Sequence, residues 1–112
     1  MRSLPSDAGS KGVFQASFEK ARLAAQDSTG ELGFRIKEQS GAGNEATYIA
    51  SQGLSSNTSG RFVRVRVVKG EADDVTVYVA VRSKAESREA MQTDELIEKD
   101  ILKRISARLG AK

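Results

Sequence analysis

The chain has 112 residues, 38% hydrophobic and 29% charged, with no Cys, no His and no Trp. That length holds one small domain. The composition excludes thiol nucleophiles, disulfides, Cys/His zinc sites and every mechanism with a histidine base. Eighteen basic and fifteen acidic side chains give a formal charge of +3, too small an excess to mark a nucleic-acid binder by itself. No apolar run approaches the roughly 20 residues that span a bilayer.

Residues 1–11, MRSLPSDAGSK, are small and polar and hold the one proline, which predicts a disordered arm or tether ahead of a single domain over 12–110. The next segment places Val13, Phe14, Phe18, Ala21, Ala25 and Leu32 near helical spacing. It predicts a first helix over 12–29, stopped by Gly30 or Gly33.

FRIKEQ alternates, with Phe34 and Ile36 on one side and Arg35 and Lys37 on the other, the pattern of a half-buried strand. SGAGNE reads as a turn, and ATYIASQ as a second strand. The facing of that strand stays open, because either Ala46, Tyr48 and Ala50 or Thr47, Ile49 and Ser51 can be its buried set. GLSSNTSG has the composition of a connecting loop.

Val63, Val65 and Val67 alternate, and so do Val75, Val77, Val79 and Val81 beyond the polar turn GEADD. This is an antiparallel hairpin with one valine face. Putting all the valines on one side requires a turn of three or five residues. In the five-residue register Arg66 lies opposite Tyr78, and in the three-residue register Arg64 does. The acidic residues of the turn fit a solvated loop better than a calcium loop.

A polar link over 83–93 then leads to a last helix, capped by Ser87 or Thr93. Ile97, Ile101, Ile105 and Leu109 recur every four residues and form its apolar stripe. Glu98 and Asp100 read as part of its solvated face. Helix, four strands, helix, with both helices laid on the valine face, is a two-layer α+β sandwich. The opposite face of the sheet is open.

By alternation that open face carries Arg35, Lys37, Phe62, Arg64, Arg66, Tyr78 and Arg82, five basic residues and no acidic one. A surface of one sign on a nearly neutral protein is an electrostatic footprint for an anionic partner. Charge there also keeps open sheets from aggregating. Phe62 and Tyr78 stand roughly 7–14 Å apart along the strands, too far for the paired stacking of an RNA-recognition sheet. No residue set calls for a metal or a cofactor.

The runs FEKARLAAQDSTGELGFRIKEQ, GRFVRVRVVKGEADDVTVYVAVR and LIEKDILKRISARL resemble small bacterial envelope lipoproteins of uncharacterised function. The shared pattern is an amphipathic helix ending in Leu32-Gly33, a V-x-V-x-V hairpin and a closing helix ending in I-x-x-R-L. In architecture they are similar to the helix-grip domains of a lipoprotein component of the outer-membrane β-barrel assembly machine. The resemblance covers residues 13–109. It implies a periplasmic or outer-membrane-anchored domain on a polar tether, with an envelope protein or an anionic polymer as partner. The basic sheet face alone supports the alternative, a cytosolic nucleic-acid-binding module.

Overall fold

The computed structural model describes residues 9–52, 60–71, 74–83 and 88–110. Seven elements follow in order: β1 (Ser10–Phe14), α1 (Phe18–Glu31), β2 (Arg35–Ala42), β3 (Glu45–Gln52), β4 (Arg61–Lys69), β5 (Val75–Ser83) and α2 (Arg88–Arg108). The strands form one antiparallel sheet in the order β1-β5-β4-β3-β2. Two helices on a five-stranded antiparallel sheet confirm the α+β class, with one strand more than the alternation predicts.

The extra strand is β1. Ser10 pairs with Val79 and Phe14 with Val75, so Ser10 and Lys11 belong to the sheet and not to an arm. Residues 1–8 lie outside the described residues. The first helix starts at Phe18, not at residue 12. Its signal is Ser17, an extended N-cap whose hydroxyl accepts from the Lys20 amide at 3.2 Å. At the other end Gly33 stops the helix, with a φ of 86° and an amide that donates to the Gly30 carbonyl at 3.0 Å. A left-handed residue just past a helix is where glycine is favoured.

The valine pattern holds along both strands of the hairpin. Val63, Val65, Val67, Val75, Val77, Val79 and Val81 are all buried on the helix side. Lys69 pairs with Val75, which fixes the five-residue turn and sets Arg66 opposite Tyr78. A Cβ at Gly70 would stand 1.7 Å from Asp74 Oδ1, so the Asp74 carboxylate would have to swing aside, and 3.1 Å from the Asp74 carbonyl oxygen. The open question of β3 is also answered. Tyr48 pairs with Val65 and is 2% exposed, so Ala46, Tyr48 and Ala50 face the helices, and Thr47 and Ile49 face away.

α1 presents Ala21, Ala24, Ala25, Ser28 and Thr29 to the core, a stripe of small residues that lets the helix sit close to the sheet. Arg22 donates from Nη1 to the Tyr48 hydroxyl at 3.2 Å, so the one polar atom of that buried ring has a partner. α2 contributes Ile101 and Ile105, both fully buried in the same apolar cluster as the valines. Fully burying each such side chain is worth about 1.5–3 kcal/mol. Beyond the core the helices are tied by Arg104 and Arg108 of α2, which reach Glu31 of α1.

α2 begins at Arg88, so much of the expected polar link is helix. Thr93 is not a cap: it lies inside the helix and its hydroxyl donates to the Glu89 carbonyl at 3.0 Å. Ser87 falls outside the described residues. Among the described residues no helix is long and apolar enough to cross a membrane.

Candidate functional site on the open sheet face

Register places the side chains of the open face in rows that cross the strands. One row runs Lys11, Tyr78, Arg66 and Thr47, and the next runs Ala80, Arg64 and Ile49. A third, toward the Gly9 end of β1, runs Arg82, Phe62, Ser51 and Arg35. The hairpin thus brings Phe62, Arg64, Arg66, Tyr78 and Arg82 together, and β2 adds Arg35 at the far side.

Lys37 does not join them as the alternation requires. A β-bulge between Ile36 and Glu38 leaves it out of register with β3, and Glu38 takes the open-face position opposite Ile49. Such a bulge inserts one extra residue and resets which side chains face which way. Glu45 is on this face too, opposite Val68. The face is therefore not free of acid. Its acidic residues lie on β2 and β3, and its basic ones concentrate on β1, β5 and β4.

The arginines differ in their surroundings. Arg66 donates from Nε to Glu45 Oε1 at 2.7 Å, and its guanidinium carbon lies 5.6 Å from the centroid of the Tyr78 ring. This is a cation–π contact beside an ion pair. The hydrogen bond from Arg66 holds the Glu45 carboxyl below the ordinary range, and Glu45 in turn raises the Arg66 guanidinium. Arg82 donates to the Val81 carbonyl at 2.8 Å and lies 3.6 Å from Glu98 Oε2.

Arg64 is the central arginine of the hairpin. It stands between the rows of Arg66 and Arg82. Burial lowers its pKa first, and the like charges of Arg66 and Arg82 lower it further. Three cations gathered on one face raise the local positive potential. Ala80, directly opposite, is small and only 1% exposed.

Apolar side chains interleave with these charges. Phe62, Ile49 and Val68 are half-buried on the face, and Val13 of β1 is 59% exposed. Lys11, Val13 and Ile49 are absent from the sequence-based site. The first two belong to β1, where Lys11 reads as the end of the polar arm and Val13 as part of the helical stripe, and Ile49 to β3, whose facing the pattern leaves open. Their signal is parity: once Tyr48 is known to face the core, Ile49 must face away.

The end of the face is anchored from behind. β1 stops at Ser10, yet β5 continues to Ser83. The edge amides beyond β1 are taken by two carboxylates of α2. Glu98 Oε2 accepts from the Val81 amide at 2.8 Å, and Asp94 Oδ2 accepts from the Ser83 amide at 3.1 Å. Glu98 Oε1 also accepts from the Ser10 hydroxyl at 2.9 Å. Arg61 Nε lies 3.4 Å from Asp94 Oδ1, an ion pair without hydrogen-bond alignment. Glu98 and Asp94 are 4% and 5% exposed, so Glu98 belongs to no solvated helix face.

No family model matches the chain, and no curated protein matches it.

Proposed function

We propose that this chain is a non-enzymatic binding module of the bacterial envelope, periplasmic or anchored to the outer membrane, which takes an anionic partner on its open sheet face. The observation that carries the binding role is the register of β4 and β5, which gathers Arg64, Arg66 and Arg82 on one face of the hairpin. The envelope setting rests on the resemblance to small envelope lipoproteins over residues 13–109. Phe62 pairs with Arg82, four residues along from Arg66, the partner of Tyr78. The two rings are therefore roughly 13 Å apart along the strands. Arg66 already covers the Tyr78 ring, so the face offers no platform for neighbouring bases.

The test is a titration with polyglutamate and with heparin at low and moderate salt, on the wild type and on Arg64→Glu. Binding that weakens as salt screens it, and that falls about tenfold in the variant at unchanged circular dichroism, supports the reading. An anion response that Arg64→Glu leaves intact, or no response at all, overturns it. Fractionation of native cells tests the setting, and a cytosolic protein with an unmodified N-terminus discards the envelope assignment.

A further inference from the structure

Resting on the reading of the open face as an anion-binding surface, we infer that its partner is an acidic amphipathic helix of another protein, laid across the sheet as a third layer. Charge alone would suit any polyanion. This face, however, mixes its cations with half-buried Phe62, Ile49 and Val68 and with the exposed Val13. A polyanion without apolar groups leaves those side chains in water. A helix with acidic residues flanking an apolar stripe covers them and meets Arg64, Arg82 and Lys11 at once.

The shape agrees. Five strands about 4.8 Å apart, averaging roughly 25 Å long, give a surface on the order of 600 Å² in projection. A helix of 18 residues, about 27 Å long and 10–12 Å wide, fits along the strands and covers about half of that surface. The sheet already accepts helices on its other face, where α1 and α2 pack on the valines. Strand addition at the edges is the poorer geometry. β1 is five residues long with Lys11 in it, and β2 is broken by the bulge at Lys37. Short, charged and bulged edges discourage pairing with a foreign strand.

The probe is a synthetic 18-residue peptide with leucines on one helical face and glutamates on the other. It is compared with a scramble of the same composition and with single-stranded oligothymidylate. The expected result is saturable binding of the amphipathic peptide at least tenfold tighter than of either control. Amide shifts are expected at Ile49, Phe62, Arg64 and Tyr78. Arg64→Glu and Ile49→Thr each weaken it about tenfold. Threonine keeps a β-branched residue in the strand, so Ile49→Thr retains the fold if Arg64→Glu does not. If the scramble or the oligothymidylate binds as tightly as the amphipathic peptide, or if Ile49→Thr has no effect, the helix is wrong and the anionic-partner reading survives. If no probe binds, or if Arg64→Glu changes nothing, both fall.

Discussion

At the scale of single residues, Glu98 does most to join the helix layer to the sheet. Its two oxygens satisfy the Val81 amide and the Ser10 hydroxyl. Glu98→Ala leaves a buried amide without an acceptor and is expected to cost about 1–3 kcal/mol. Glu98→Gln keeps one oxygen for the amide, and its NH2 can donate to the Ser10 hydroxyl with that bond reversed. It is expected to cost under about 1 kcal/mol. Urea unfolding of the two variants checks the order, and equal losses would deny Glu98 its role as an edge cap. Ser28 is the converse case, a buried hydroxyl on α1 with no hydrogen-bond partner. Ser28→Ala removes an unpaired polar atom and improves helix propensity, so a gain of about 1 kcal/mol is expected in the same assay. The pair of Glu45 and Arg66 has a pH signature. The Glu45 carboxyl lies below its ordinary value because Arg66 hydrogen-bonds to it. Its stabilising effect is complete above the ordinary carboxylate value and is lost as pH falls through the lowered one. NMR titration should show the Glu45 carboxyl moving upward in Arg66→Ala.

At the scale of elements, β1 shows both what sequence pattern reaches and where it stops. Val13 and Phe14 fit a helical stripe with Phe18 and Ala21, and no periodicity separates that stripe from a short strand followed by a new helix. The separating signals are local. Ser17 is a cap, and Gly12 is a poor helix interior. Gly12 also has a tertiary role that no pattern displays. A Cβ there would stand 2.9 Å from the Phe14 ring and 3.4 Å from Leu102 of α2. Gly12→Val is therefore expected to loosen β1 by about 1–3 kcal/mol of overpacking. Amide exchange should quicken along β1 and its partners in β5 while β3 and β4 stay protected, and uniform exchange across the sheet would refute β1 as a separately held strand. The hairpin of β4 and β5 is fully legible, because seven alternating valines and a parity condition leave little freedom. The bulge at Lys37 is not, since one inserted residue shifts every later side chain and leaves no mark in composition. The acid in the core is legible in part: Asp94, Glu98, Ile101 and Ile105 share one helical face at spacings of four, three and four. Their partners, the β5 amides beyond Ser10, become visible only once β1 is known to be short.

At the scale of the whole molecule, the two faces of one sheet are assigned opposite work, and adjacent residues of β4 separate them. Val65 pairs with Tyr48 and Val79 and is fully buried under the helices. Arg64, one residue earlier, points the other way. Val65→Asp puts an unpaired carboxylate into the core. The cost of several kcal/mol matches much of the roughly 5–15 kcal/mol that holds a domain of this size together. Arg64→Glu puts the same charge on the open face, among Arg66 and Arg82, where it meets opposite charges instead of an apolar core. Thermal unfolding followed by circular dichroism is expected to show no cooperative transition for Val65→Asp and a near-wild-type midpoint for Arg64→Glu. Binding of anions should divide the other way, weakened about tenfold in Arg64→Glu despite its intact fold. A core valine substitution to alanine, Val65→Ala, supplies the control: it should lower the midpoint while leaving anion affinity unchanged in the folded population. If stability and binding instead fell together in Arg64→Glu, the open face would be part of the structural core. The separation of a covered face that folds the chain from an exposed face that recognises a partner would then be wrong.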